Sequence, residues 1–170
     1  MPLSPKHFGF QFTGDEETQE LYEWYRALMS DQIPKGEMAL VFKSALKAAV
    51  AQAEKRKFAV TDRPGQSRGS NDPGYIPPAV KREVYVRDHG ACAFVSELGK
   101  RCGARRWLQF DHIDLVALGG KKPTVENIRL LCKAHNQRAA EQALGVEFMD
   151  ERRRKKAPAC ATRGLNSPTS

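Results

Sequence analysis

No stretch of this 170-residue chain is apolar for anything near the ~20 residues of a membrane-spanning helix, so a helical membrane protein is excluded. The opening, MPLSPKHFGFQFTGDEE, has neither the apolar core nor the small-residue cleavage site of a secretory leader, and a cytoplasmic location is expected. No internal repeat is visible. Cysteine is scarce, with only Cys92, Cys102, Cys132 and Cys160. In a reducing compartment, clustered thiols are better read as metal ligands than as disulfides. Acidic side chains are also in deficit, 20 against 28 Lys plus Arg, for a formal charge of +8. The deficit is uneven: residues 1–70 carry 10 basic and 9 acidic groups, net +1, while residues 71–170 carry 18 and 11, net +7. A basic half suits a polyanionic partner, because neutralised phosphates release condensed counterions. A solubilising surface charge would look the same.

What is present falls into four stretches. Residues 1–61 read as a helical accessory segment. Phe8–Phe12 alternate like a short strand. Thr13 and Glu16 have capping-box spacing, and Leu21, Trp24, Tyr25 and Leu28 share one helical face. A second helix is expected from Gly36 to about Lys57, with Phe42, Leu46, Ala49, Val50 and Ala53 as its stripe; the aromatics of this hairpin are expected in a core. Residues 62–75 are Gly-, Pro-, Ser- and Asp-rich, a linker. Residues 76–149 form a new unit, opening with Pro77-Pro78 at a helix start that runs toward Gly90. Residues 150–170, beginning around DERRRKK, read as a basic, disordered tail.

The chemistry concentrates in residues 92–136. Leu108–Ile113 (LQFDHI) and Asn127–Cys132 (NIRLLC) read as strands, and Lys133–Gly145 as a helix stopped by its glycine. Two sites can be drawn. Cys92, Cys102, Cys132 and His135 supply three sulfurs and a nitrogen, with Cys132-x-x-His135 at a spacing that grips one ion from a turn. Four ligands close a tetrahedral shell, so this site would be a structural zinc; the alternative is that the cysteines are small buried hydrophobes. Asp111, His112, Asn127 and Asn136 are a carboxylate, an imidazole and two carboxamides, an oxygen-rich set suited to Mg²⁺ or Mn²⁺. Equally, Asp111-His112 simply ends a strand and Asn127 caps a turn.

The order and spacing of RDHGACAF, GKRCG, LQFDHI, GG, NIRLLC and CKAHNQRAAE across residues 76–149 resemble the zinc-stapled HNH endonucleases. That resemblance implies an α+β fold: a ββα-metal finger, two antiparallel strands crossed by a helix, carrying a structural zinc knuckle and preceded here by the small helical segment. It implies that Asp111 is the first ligand of a catalytic divalent ion (Mg²⁺, Mn²⁺ or Ni²⁺), His112 the general base, Asn127 the residue that orients loop and base, and Asn136 the second ligand. The chain departs from the pattern in four places. Asn136 stands where a histidine is usual, and His135 where a cysteine is frequent. Cys92-x9-Cys102 replaces a CxxC, with Val95 at the usual second position. Leu115 stands where a proline often follows the DH pair.

The activity so implied is metal-dependent hydrolysis of DNA phosphodiester bonds, leaving 5′-phosphate and 3′-hydroxyl ends. Arg105, Arg106, Lys121, Lys122, Arg129 and Arg138 surround the site in sequence as candidate phosphate contacts. DNA is the expected partner, with no membrane and no small-molecule substrate, and residues 13–57 are a surface for self-association or a protein partner. Two other classes stand beside this one: a zinc-stapled DNA-binding module with little or no cleavage, and a subunit that docks into a larger nuclease or defence complex.

Overall fold

The structure, a computed structural model, describes residues 2–4, 7–66, 70, 72, 74–115, 119 and 122–156, which fall into two units meeting at Val60–Thr61. In the first, β1 (Pro2–Ser4) pairs antiparallel with β2 (His7–Phe8). The strand expected over residues 8–12 therefore stops at its first residue. Phe10 and Phe12 instead lay their rings 5.7 and 5.9 Å from that of Phe42.

Helix α1 (Glu16–Leu28) starts two residues later than the Thr13 cap would have it. Asp15 is the cap, its carboxylate accepting the Thr18 amide at 2.9 Å. The Thr18 hydroxyl, then the Thr18 amide, hold the Asp15 carboxyl below the usual carboxylate range. Helix α2 (Met38–Phe58) ends on Ala59 in the left-handed region, φ 58°. The two helices touch through a 3.0 Å hydrogen bond between the Tyr25 and Ser44 hydroxyls.

The expected core does not form there. Only Val41 and Phe58 are buried among the described residues of this unit, and Trp24 is 63% exposed. The physical reason is the contact itself. Ser44 faces α1, and Leu46 and Val50 project from other sides of α2 and stay in solvent.

The second unit has a better-formed core of Ile76, Val84, Cys92, Leu108, Ile128, Leu130 and Leu131. Helix α3 (Pro78–Arg87) follows Pro77 and breaks at a left-handed His89–Gly90 pair. Gly90 is required, since a Cβ there would lie 2.8 Å from the Tyr85 ring. Strands β3 (Leu108–His112) and β4 (Ile128–Cys132) pair antiparallel, with Asp111 opposite Arg129 and His112 opposite Ile128. Helix α4 (Lys133–Leu144) begins on the residue after β4, so Cys132 is both the last strand residue and the helix N-cap.

Asp88, 5% exposed, fixes α3 to this ribbon. It accepts the Leu130 amide at 2.8 Å, while the Arg87 guanidinium bonds Asp88 and the Ile128 carbonyl. Of the segment expected to be disordered from residue 150, residues 150–156 depart from that reading, because α5 (Val146–Lys156) continues to Lys156, and residues 157–170 lie outside the described residues. Its polar run is helical through spaced charge pairs: Lys155–Glu151 at 2.7 Å, and Arg153 on both Asp150 and Glu141 of α4. The fold is thus α+β, with five helices and two two-stranded antiparallel ribbons among the described residues, β1–β2 in the first unit and β3–β4, crossed by α4, in the second. No helix among them is long and apolar enough to cross a membrane.

Candidate functional site

Cys92 and Cys102 lie ten positions apart yet come together, because residues 92–104 fold as a hairpin. Backbone amides of Cys92 and Cys102 bond the carbonyls of Ala104 and Phe94 at 2.8 Å, and Val95 bridges Arg101. A second arm is the β4–α4 junction, which presents Cys132 and, one helical turn on, His135. The four ligand atoms of Cys92, Cys102, Cys132 and His135 all lie within 4.8 Å of one another. His135 Nδ1 stands 3.5 Å from the Cys92 sulfur and 3.3 Å from that of Cys132. Tetrahedral zinc bonds of about 2.3 Å to sulfur and about 2.0 Å to nitrogen would put these atoms about 3.6 Å apart. The donor set and its spacing therefore fit zinc, and four protein ligands leave no open position.

The surroundings prepare the ligands. The Phe94 ring stacks on His135 with centroids 3.8 Å apart and fixes the imidazole plane. Burial pushes the Cys92 thiol up. Burial acts the same way on Cys132, but there the amides of His135 and Ala134 at the α4 N-terminus, with the neighbouring Cys92 and Cys102 groups, outweigh it and lower the pKa.

The second set is arranged differently. Asp111 is 8% exposed, and its Oδ2 accepts from Arg129 Nε at 2.8 Å. Asn136 Nδ2 donates to Gln109 Oε1 at 2.6 Å. Because Gln109 and Asp111 are two apart on β3, they share a face, and this bond brings the first turn of α4 over the face that bears Asp111. Strand alternation turns His112 to the other face, with Phe110, Ile128 and Leu130. Its Nε2 is enclosed there without a hydrogen-bond partner among the described residues. Asn127, 6% exposed, ties the chain after β3: its Oδ1 accepts the Asp114 amide at 2.7 Å and its carbonyl the Ile113 amide at 2.8 Å.

Among the candidate phosphate contacts, Arg105, Arg106, Lys122 and Arg138 are exposed. Arg138 lies over the Phe94 ring, and Arg129 is the ion-pair partner of Asp111. Lys121 and Cys160 fall outside the described residues. Sequence reasoning missed Gln109, Asp88 and Arg87. Gln109 was within reach, since position i−2 of a strand shares the face of Asp111. Asp88 was not, because a carboxylate that bonds a backbone amide 42 residues away leaves no local signal. Compared with family models, with curated proteins and with solved structures, the chain matches none.

Proposed function

We propose that residues 76–149 are a metal-dependent DNA endonuclease domain of the HNH kind, stapled by a structural zinc on Cys92, Cys102, Cys132 and His135. The observation that carries this reading is the buried carboxylate of Asp111 on a two-stranded ribbon, with a crossing helix that brings Asn136 over the same face. A buried carboxylate costs several kcal/mol unless something of opposite charge compensates it. Arg129 is one such group, and it uses only Oδ2. Asp111 Oδ1 and Asn136 Oδ1 are left as oxygen donors, enough for an ion such as Mg²⁺ that keeps several waters. A divalent ion there would supply Lewis-acid charge at a phosphate oxygen and at the leaving oxygen.

The chain's own groups do the rest. His112 has Nε2 enclosed, and Nδ1 is not enclosed in this way. The neutral tautomer with its hydrogen on Nε2 leaves the Nδ1 lone pair to take a proton from water. That water attacks phosphorus, the 3′ oxygen leaves, and the ends are 5′-phosphate and 3′-hydroxyl. Asn127 holds the loop that follows His112. Exposed Arg105, Arg106, Lys122 and Arg138 supply phosphate contacts from a unit whose 20 basic and 12 acidic side chains over residues 61–170 give a net charge of +8.

A specific observation favours a second reading. Arg129 already neutralises Asp111, and the His112 ring leaves the opposite face of the strand, which suits a zinc-stapled DNA-binding module with little cleavage. Incubating supercoiled plasmid with zinc-loaded protein and Mg²⁺, Mn²⁺ or Ni²⁺ decides between them. Ion-dependent nicking supports the nuclease, and binding without nicking supports the module.

Residues 13–57 are proposed to bind a second copy of the chain. Seven large apolar side chains between Leu21 and Val50 are exposed, and at roughly 100 Å² apiece they approach the ~800 Å² per partner of a standard interface. Residues 1–60 carry 8 basic and 8 acidic groups, with Glu16, Glu17, Glu20 and Glu23 on α1, and Lys43, Lys47, Lys55, Arg56 and Lys57 on α2. In a two-fold pair, α1 of each copy meets the oppositely charged α2 of the other.

A further inference from the structure

Trp107 is 72% exposed and has φ 56°, in the left-handed region. For a bulky side chain that conformation is strained, and it persists where the surroundings impose it. The other two non-glycine residues with positive φ among the described residues, Ala59 and His89, sit at helix ends. Trp107 sits instead between the cluster hairpin and β3. Core packing does not account for it, since the indole faces solvent and has no ring or hydrogen-bond partner among the described residues. Its two preceding neighbours, Arg105 and Arg106, are exposed and without an ion-pair partner among those residues. An exposed, rotamer-poor aromatic beside two free guanidinium groups has the makings of a stacking platform: charge for the backbone, a π-face for a base.

We infer that Trp107, with Arg105 and Arg106, binds an unpaired nucleobase of DNA, so that the chain holds DNA with unstacked bases more tightly than a fully paired duplex. This deepens the preceding reading and rests on it in one respect, that the ligand is DNA. Base pairs in a continuous duplex are already stacked on both faces, and an extruded or single-stranded base is not. Four residues of chain, about 13 Å, separate Trp107 from Asp111.

The chain has two tryptophans, so Trp24→Phe leaves Trp107 as the one indole reporter. The probes are a 20-nucleotide single strand and its fully paired duplex, titrated into zinc-loaded full-length protein. The single strand should quench Trp107 emission in Trp24→Phe. Trp107→Ala should lose about fivefold to a hundredfold in single-strand affinity, the range of one base–aromatic stack, and less than twofold for duplex. Trp107→Gly guards against a folding artefact. Glycine accepts φ 56° without strain, so this variant should melt no lower than the parent while losing single-strand binding. Unquenched emission together with parent-like affinity of both Trp107 variants overturns the inference and leaves the DNA reading intact. An equal loss on both probes overturns the unpaired-base preference. Failure of the parent to bind either probe overturns both readings.

Discussion

Arg129 Nε donates to Asp111 Oδ2 over 2.8 Å, joining two residues that stand directly opposite each other on β4 and β3. The carboxylate is nearly sealed and the guanidinium about one-third exposed, so the pair is neither a surface ion pair nor a fully buried one. Arg129→Ala leaves a sealed carboxylate without its partner. Between the 3–5 kcal/mol of a broken buried pair and the ~1 kcal/mol of an exposed one, a loss on the order of 2 kcal/mol is expected. Mn²⁺ should restore more of the melting temperature in Arg129→Ala than it adds to the parent, because the cation replaces the missing charge. Calorimetry with and without Mn²⁺ checks this, and equal shifts in the two proteins would speak against an ion at Asp111.

The cysteine–histidine cluster is expected to hold zinc as part of the fold. Cys132→Ser should lower bound zinc well below one equivalent and remove the cooperative melting of residues 76–149, since a closed site contributes its binding free energy to folding. A strong chelator should do the same to the parent, more readily at lower pH, where protons compete for the thiolates. Elemental analysis beside circular dichroism reads both. Full zinc and unchanged melting in Cys132→Ser would remove the assignment.

His112 separates chemistry from scaffold. Its imidazole lies outside the cluster, so His112→Ala should keep zinc and DNA affinity. Plasmid cleavage should fall by about 10²–10⁴-fold, the usual range for loss of a general base. Asn136→His should retain or raise activity with Mn²⁺ or Ni²⁺, imidazole being the stronger ligand for those ions. A His112→Ala protein that cuts as fast as the parent would reduce Asp111-His112 to a strand end.

Salt should govern DNA binding. About five phosphate contacts predict a log–log slope near −4 or −5 for affinity against salt, and removal of residues 151–170, with their basic run, should flatten it. Anisotropy titrations at several salt concentrations give the slope. Affinity indifferent to salt would exclude the electrostatic account.

Self-association through the first unit should appear as a concentration-dependent rise in mass in sedimentation. Trp24→Glu, placed on the exposed face of α1, should leave the chain monomeric with its zinc retained. A parent that stays monomeric at high micromolar concentration would remove the second copy from the proposal.

How much of this was legible in the sequence differs between the two units. β3, β4 and α4 are local in origin. Alternating apolar residues, a Cys-x-x-His turn and a terminal glycine each announce themselves within a dozen positions, and the cluster follows once those elements pair. Trp24 and Leu46 misled for a complementary reason. Their spacing forecasts an apolar helix face, but periodicity says nothing about whether another element covers it. The late start of α1 has a smaller cause: Asp15 caps the Thr18 amide two residues further along than a Thr13 cap would reach, and a carboxylate is the stronger acceptor. The Arg87–Asp88 clamp was hidden because its partners, Leu130 and Ile128, are backbone groups some forty residues downstream.

The seamless passage from β4 into α4 gives the cluster a mechanical reach. Cys132 acts as a pivot, and Asn136 sits four residues along the helix from it, about 6 Å at 1.5 Å per residue. On a lever arm of that length, a tilt of about 10° moves the carboxamide by about 1 Å. A displacement of that size can cost roughly 10²-fold in rate. If Cys132 holds a metal and Asn136 a catalytic ion, as proposed, slackening at one end of the helix's first turn would be read out as misalignment at the other.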